Sequence, residues 1–280
     1  MPLKSDIVGL ALPEMTVHVT PRRALAYAAG LDDETALDDA ALDFAALPFY
    51  CVSLEWQLVI AARNQMIGLS PAEAVRGVHV GQSTHFLHAL RPGQDVKVSG
   101  RIVSVRRTHA GALSMTELNV VGADGTLLSS SISTGLYRAV DVAGDDRTIA
   151  AEAFETADPA ISDLEEAVIP LDRGFAHRYS ECADIWNPIH TERKVALAAD
   201  LPDIIVHGTA LWALAGKTLM ARFGAAHRLT HLSGRFAAMV PAGTPITVRY
   251  GATAEPGKVF FEVLNARGEK AVADGWARFA

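Results

Sequence analysis

An approximate internal repeat limits the folds open to this chain. Residues 86–105, FLHALRPGQDVKVSGRIVSV, resemble residues 236–254, FAAMVPAGTPITVRYGATA. Superposing Gly93 on Gly243 aligns a Phe, a Pro-containing turn and an alternating apolar run in the same order. A repeat of this kind predicts that one structural unit occurs twice and that the two copies pack on each other.

Further pairs of segments extend the repeat in both directions. Residues 117–128, ELNVVGADGTLL, match residues 261–272, FEVLNARGEKAV, and both are apolar alternations around an Asp-Gly or Arg-Gly turn. This pattern is typical of β-hairpins. Upstream, residues 27–32, YAAGLD, match residues 179–184, YSECAD, at nearly the same offset. The shared order of the matches indicates a duplication.

Each half also contains one strongly apolar helical segment before its strands. Residues 208–223, GTALWALAGKTLMARF, are apolar almost all round, and a helix with that pattern is buried. The counterpart in the first half is Leu54–Leu69, which is more amphipathic. The sequence therefore predicts an α+β fold in which a sheet wraps around a central helix, twice. We expect Trp186 and Trp212 in the core.

Charge and composition predict the domain boundaries. The chain has 280 residues and a net charge of −7, and residues 141–168 hold nine acidic residues but one basic residue. We interpret residues 141–168 as an acidic linker between an N-terminal unit, residues 1–140, and a C-terminal unit, residues 169–280. No basic face is visible, so nucleic-acid binding is not expected.

Location is predicted from what the sequence lacks. No apolar run approaches the ~20 residues that span a bilayer, and the N-terminal segment does not resemble a signal peptide. Cys51 and Cys182 are too few for a disulfide framework, which favours a reducing compartment. We therefore expect a cytoplasmic protein without a membrane partner.

Residues 179–208, YSECADIWNPIHTERKVALAADLPDIIVHG, contain the residues suited to catalysis. Asn187 precedes Pro188, which keeps Asn187 out of the helical conformation and suits the first turn of a helix. His190 would lie at that start, where the helix dipole favours the neutral imidazole that acts as a base. His207 and Gly208 open the apolar helix, whose first N–H groups are free to donate to an oxyanion.

This segment resembles the MaoC-like, (R)-specific enoyl-CoA hydratases (hydratase 2), whose motif is approximately Asp-x-Asn-Pro-x-His followed by His-Gly. The match covers Asn187, Pro188, His190, His207 and Gly208. The resemblance implies a double hotdog fold, with a degenerate N-terminal copy that has Ser53 and Leu54 in place of His-Gly and helps to form the acyl or CoA pocket.

The resemblance also implies a function, namely a lyase of fatty acid metabolism that acts as a hydratase or dehydratase on acyl-CoA. It implies that Asp184 and His190 form the acid–base pair, that the Gly208 N–H belongs to the oxyanion hole, and that Asn187 orients the water or the pair. His207 is expected to position the loop. Coenzyme A enters as part of the substrate, no other cofactor is implied, and a homodimer of double-hotdog chains is expected.

One departure from the motif affects the aspartate. The family has it two residues before the Asn, where this sequence has Ile185, and Asp184 stands one residue earlier. A one-residue bulge before Trp186 would return the Asp184 carboxylate to the site. The alternatives are that His190 acts with another acid such as Glu181, or that the hydratase activity is weakened or replaced.

Two other functions fit the same fold. A hotdog thioesterase would hydrolyse the same thioesters, and a non-catalytic acyl-thioester binding subunit would explain Ile185 at the aspartate position. No metal site is expected, because His79, His85 and His88 lack the tight spacing and Cys partners of zinc sites; we expect all three at the surface or in an interface. The family accepts several kinds of acyl group, so the resemblance leaves the acyl group open.

Overall fold

The computed structural model describes residues 2–34, 44–65, 69–149, 161, 163–224 and 228–280. The N-terminal half contains three α-helices: Pro21–Gly30, the first central helix Cys51–Asn64, and Pro71–Ala74. Its 3-10 turns are Ser5–Ile7 and Pro48–Tyr50. Its strands are β1 Leu3–Lys4, β2 Met15–His18, β3 Gly77–Phe86, β4 Asp95–Thr108, β5 Gly111–Gly122, β6 Leu127–Arg138, β7 Val142–Ala143 and β8 Arg147–Thr148.

The C-terminal half repeats this order of elements. Its helices are Phe175–Ala183, Arg193–Ala198 and the second central helix Gly208–Phe223, and its 3-10 turn is Pro188–His190. Its strands are β9 Glu165–Ile169, β10 Leu229–Phe236, β11 Ile246–Ala252, β12 Lys258–Leu264 and β13 Lys270–Phe279. Each half thus has an edge strand, a short helix, a central helix and four antiparallel strands.

One continuous sheet joins the halves. Its strand order is β2-β4-β5-β6-β3-β10-β13-β12-β11-β9, and the order is the same when followed outwards from the centre in either direction. The central pair is antiparallel, with Ser83 opposite Ser233. This arrangement confirms the predicted α+β architecture of two sheet-and-helix units and shows that they are related by an approximate two-fold axis.

The backbone conformation of four turn glycines confirms the predicted repeat. Gly93 and Gly243, which the sequence alignment superposes, have φ values of 89° and 81°. The hairpin glycines Gly125 and Gly268 have φ values of 86° and 75°. Left-handed backbone at all four positions favours glycine, so the same turn geometry was retained in both copies.

A single apolar core extends through both halves. It includes Phe49 and Leu118 from the first half and Trp212 and Phe261 from the second, all fully buried. The second central helix is buried along most of its length because it is apolar all round. Trp212 is buried as predicted, whereas Trp186 is 54% exposed, so its predicted place in the core was wrong.

The ends of the predicted acidic linker belong to the sheets. At its start, β7 pairs with β1 and β8 pairs with β4. At its end, β9 pairs with β11 in the way that β2 pairs with β4 in the first half. Residues 150–160 and 162 lie outside the described residues. The first central helix begins at Cys51 rather than Leu54 and ends at Asn64; part of the predicted extension, residues 66–68, is also outside the described residues.

Candidate active site

The Asn-Pro-x-His segment forms a tight 3-10 turn that presents His190. Asn187 has extended backbone, and its Oδ1 accepts a hydrogen bond from the Ile189 N–H at 3.3 Å. Pro188 starts the turn, where its missing N–H removes no hydrogen bond. The carbonyl of Thr191 bonds His177 Nε2 at 2.8 Å, which fixes the turn to the helix Phe175–Ala183. The motif thus holds one imidazole in a defined place.

The environment of His190 makes its imidazole a neutral base. Its Nδ1 lies 2.8 Å from the carbonyl oxygen of Ile205. A carbonyl can only accept, so Nδ1 carries the proton and Nε2 has the free lone pair. Burial, and to a smaller extent the positive charge of Arg63, lower the pKa of His190 to about 4, although the bond to Ile205 opposes this. At neutral pH Nε2 is therefore ready to accept a proton.

His207 braces His190. The two rings stack with centroids 3.6 Å apart. Ser180 Oγ and His207 Nε2 are 3.1 Å apart, and the ring also packs 5.0 Å from that of Tyr179. Burial, followed by the proximity of His190, lowers the pKa of His207 well below its usual value. His207 is 3% exposed, so its geometry fits the predicted positioning role.

Gly208 starts the second central helix, with His207 at the N-cap. Backbone N–H groups in the first turn of a helix have no intrahelical acceptor. A Cβ at Gly208 would lie 2.6 Å from the ring of Phe236, so only glycine lets strand β10 approach the helix start this closely. The free N–H groups of this helix start therefore lie next to the stacked histidines.

Asp184 lies at the end of a helix and not against the stacked histidines. It caps the helix Phe175–Ala183 with left-handed backbone, φ 57°, and its side chain is 69% exposed. Its carboxylate pairs with Arg23 at 3.3 Å. In the first half, Asp32 has φ 50° and pairs across the axis with Arg178 at 3.6 Å. Asp184 and Asp32, which the repeat aligns, thus both have left-handed backbone just after a helix and both form an ion pair between the two halves.

The structure brings together His190, His207, Asn187 and Gly208 but does not place Asp184 against the histidines. Ile185, the residue at the motif's aspartate position, is 2% exposed. Glu181, the alternative acid, is exposed on the helix Phe175–Ala183. Burial and the charge of Arg63 lower the pKa of His190 while the bond to the Ile205 carbonyl opposes them, and no carboxylate contributes to this shift.

The interior of the N-terminal half contains a polar network that the sequence did not predict. Glu55 on the first central helix is 1% exposed, and its carboxyl group accepts hydrogen bonds from Ser131 Oγ at 2.7 Å and Gln82 Nε2 at 3.4 Å. Thr84 joins the network through Ser131 at 2.9 Å. The run SSSIST at residues 129–134 is the sequence signal for this, since an interior strand is rarely so rich in hydroxyl groups.

Two side chains of the N-terminal half, the cationic Arg63 and the titratable His79, lie near the stacked histidines. His79 packs edge-on against Phe236, with ring centroids 5.1 Å apart, and Phe236 lies under Gly208. Burial and the charge of Arg63 lower the pKa of His79 to about 4. The predicted surface position holds for His85 and His88, which are exposed, whereas His79 faces inwards.

Two features are absent from the part of the chain that the structure describes. No group of three or more His, Cys, Asp or Glu side chains there is arranged to bind a metal ion. None of the helices in these ranges is both long and apolar enough to cross a bilayer.

Part of the chain matches known proteins in sequence. Residues 166–272 match the family model described as the MaoC like domain, which confirms the resemblance for the half that contains the candidate site. The chain is 33% identical over 129 residues to the fatty acid synthase subunit beta of Aspergillus oryzae. That match covers 45% of this chain and only 6% of the relative.

Solved structures share the whole fold. A MaoC-like dehydratase from Phytophthora capsici superposes with a TM-score of 0.84 at 20% identity, covering 98% of this chain and 97% of the other. A Mycobacterium tuberculosis protein described as having a double hotdog fold superposes with a TM-score of 0.63 at 12% identity, covering 96% and 95%. The double hotdog fold is therefore confirmed.

Proposed function

We propose that this chain, whose residues 166–272 are a MaoC-like domain, reversibly adds water to the double bond of an α,β-unsaturated acyl-CoA thioester. The observation that carries the proposal is the neutral His190, with its Nε2 lone pair free, stacked beside the start of the second central helix. A base next to an oxyanion donor is what hydration of an enoyl thioester requires.

His190 acts on the water. Its Nε2 takes one proton as the oxygen forms a bond to the β carbon, and the electron pair of the double bond moves toward the thioester carbonyl. The resulting imidazolium then gives that proton to the α carbon, so one water is added in full. The bond from Nδ1 to Ile205 keeps the ring oriented during both transfers.

The start of the second central helix stabilises the enolate. Negative charge develops on the thioester oxygen, and the Gly208 N–H is a donor fixed in place before the reaction. His207 fixes the plane of the His190 ring by stacking, and Asn187 fixes the turn through its bond to Ile189. Both are positioning residues in this proposal.

In the proposed mechanism, His190 acts without a partner carboxylate. The exposed position of Asp184 and its pairing with Arg23 favour this over the acid–base pair implied by the motif. The pair remains the alternative, and it requires a rearrangement that brings the Asp184 carboxylate inwards when substrate binds.

A hydration assay tests the proposal. The loss of enoyl-thioester absorbance is followed with crotonyl-CoA, longer trans-2-enoyl-CoA and mesaconyl-CoA for the wild type, His190→Ala and Asp184→Asn. We expect turnover of at least one substrate, a loss of about 10²-fold or more in His190→Ala, and a change of less than about fivefold in Asp184→Asn. A loss of similar size in both variants would establish the acid–base pair instead.

The second candidate is a non-catalytic acyl-thioester binding subunit, which the exposed Asp184 also favours. It predicts that the folded wild type binds acyl-CoA but turns over none of the panel. A homodimer of these chains and a role in fatty acid metabolism are further proposals. The first is tested by light scattering of the purified chain.

A further inference from the structure

A small pocket beside the candidate active site contains a cation without an acidic partner. The pocket lies between the first central helix and strands β3, β5 and β6, and we call it the Arg63 pocket. Its lining contains both apolar and polar side chains, and the residues used below are Arg63, His79, Ser114, Ser133 and Tyr137.

Arg63 is partly buried but unpaired. Its guanidinium lies over the ring of Trp56, 5.3 Å from the centroid. Within the described ranges no carboxylate forms an ion pair with it, and burial lowers its pKa. Removing a guanidinium from water is costly unless an anion faces it. Arg101 on strand β4, by contrast, is paired with Glu117 at 2.7 Å.

A buried hydroxyl in the same pocket also lacks a partner. Ser114 is 4% exposed, and its Oγ has no hydrogen-bond partner among the described residues. An unsatisfied buried hydroxyl is unfavourable, so it is suited to a ligand that accepts a hydrogen bond from it. Ser133, by contrast, already bonds His79 at 3.2 Å. Arg63 and Ser114 thus offer donors to one acceptor group.

The pocket adjoins the reaction centre. The charge of Arg63 is near enough to lower the pKa of both His79 and His190. His79 packs on Phe236, which lies directly under Gly208. In the proposal below, an acyl group whose thioester oxygen bonds Gly208 extends past Phe236 toward Arg63.

The buried acid of this half does not fill the role of counterion. Glu55 lies eight residues before Arg63 on the first central helix, a rise of about 12 Å. Its carboxyl group is bonded to Ser131 and Gln82. Tyr137 is the other charge-bearing group that acts on Arg63, and burial raises its pKa, so it stays neutral.

We propose that the Arg63 pocket binds a carboxylate at the far end of a short acyl group, so that the preferred substrate is the CoA thioester of an unsaturated dicarboxylic acid. This inference rests on the proposed function. Arg63 donates to the carboxylate, Ser114 Oγ adds a second donor, and the apolar lining contacts the carbon chain. A carboxylate supplies the charge that the guanidinium lacks.

The test compares two five-carbon substrates that differ only at the terminus, glutaconyl-CoA and trans-2-pentenoyl-CoA. We expect the wild type to prefer glutaconyl-CoA in kcat/KM. Arg63→Met should lower kcat/KM for glutaconyl-CoA about 100-fold and for pentenoyl-CoA less than about threefold. Arg63→Lys should retain part of the preference, Ser114→Ala should reduce it about fivefold, and Arg101→Met is the matched control that should leave it unchanged.

The other outcomes overturn the inference. An equal loss on both substrates in Arg63→Met means that Arg63 acts on the CoA moiety or on folding, which circular dichroism separates. A wild type without preference also excludes a carboxylate site. If the wild type turns over neither substrate, the proposed function is wrong but the inference is still testable. The Kd values of glutaryl-CoA and valeryl-CoA are then compared. Only a carboxylate site gives a Kd difference that Arg63→Met removes.

Discussion

At the scale of single residues, His190 makes the clearest prediction about activity. A base with a pKa of about 4 is about 90% neutral at about pH 5, whereas an ordinary histidine is about 3% neutral there. We expect kcat/KM for hydration to stay within about twofold between about pH 7 and about pH 5 and to fall only as the pH approaches 4. The measurement is a pH profile on protein shown by fluorescence to be folded. A decline centred near pH 6.5 would contradict the proposed environment of His190.

Glu55 makes a prediction about stability. Burial raises its pKa to about 7, although its bonds to Ser131 and Gln82 oppose this. Between about pH 4.5 and about pH 7 the folded protein keeps a proton that the unfolded chain has lost, so the free energy of unfolding falls as the pH rises through this window. This decrease in the free energy of unfolding amounts to about 3 kcal/mol and is complete at pH values above this window.

Glu55→Gln should therefore lose less stability than the wild type between about pH 5 and about pH 8. Urea unfolding at the two pH values measures the difference. Glu117→Gln, which removes a surface partner of Arg101, is the control and should keep the wild-type dependence. The same dependence in Glu55→Gln and the wild type would mean that another group causes it.

Local sequence spacing leaves out what sets the positions of Asp184, Arg63 and Ser114. Asp184 precedes the motif closely enough to suggest a catalytic role, but its left-handed backbone makes it a helix cap that points to solvent. Arg63 and Ser114 are far apart in the sequence and meet only because a helix packs on the sheet. Local spacing predicts the Asn187–His190 turn, and it carries no information about contacts between elements.

At the scale of elements, the second central helix and strand β10 pack so closely that Gly208 has no room for a side chain. The Cβ of Gly208→Ala would lie 2.6 Å from the Phe236 ring, so either the ring or the helix start must move. We expect a loss of about 1–3 kcal/mol in the free energy of unfolding and of about 10²-fold in kcat/KM because the oxyanion donor shifts. Urea unfolding and the hydration assay measure the two effects.

Two further variants test this explanation. Gly135→Ala, whose Cβ would come no nearer than 3.8 Å to its neighbours, is the control for stability and should unfold like the wild type. Adding Phe236→Ala to Gly208→Ala should restore part of the stability if the ring is what the methyl group meets. Strictly additive losses would show that the two positions are independent.

Most elements were predictable because they follow from local patterns. Alternating apolar residues predicted the hairpins β5–β6 and β12–β13, and apolar character, continuous in the second half and more amphipathic in the first, predicted the two central helices. Strand β9 was assigned to the linker because its sequence, EEAVI, is acidic and short. It forms by pairing with β11 at the sheet edge, where exposed charges are tolerated.

At the scale of the whole molecule, the shared sheet and core predict that the halves unfold together. Strands β3 and β10 pair directly, and the ion pairs of Asp32 and Asp184 cross between the halves. In Trp56→Phe the remaining tryptophans, Trp186, Trp212 and Trp276, all report on the C-terminal half. We expect their fluorescence and the far-ultraviolet circular dichroism of the whole chain to give one coincident urea transition. Separate midpoints would show that the halves are independent.

The first half also shows what became of the second copy of the site. Ser53, which stands where the second half has His207, donates its hydroxyl hydrogen bond to the carbonyl of Ala183 at the end of the helix that Asp184 caps. The start of the first central helix is thus occupied by the chain itself. Each chain should therefore bind one acyl-CoA molecule, although its fold contains two copies of the unit. Titration with acyl-CoA should saturate at one equivalent per polypeptide.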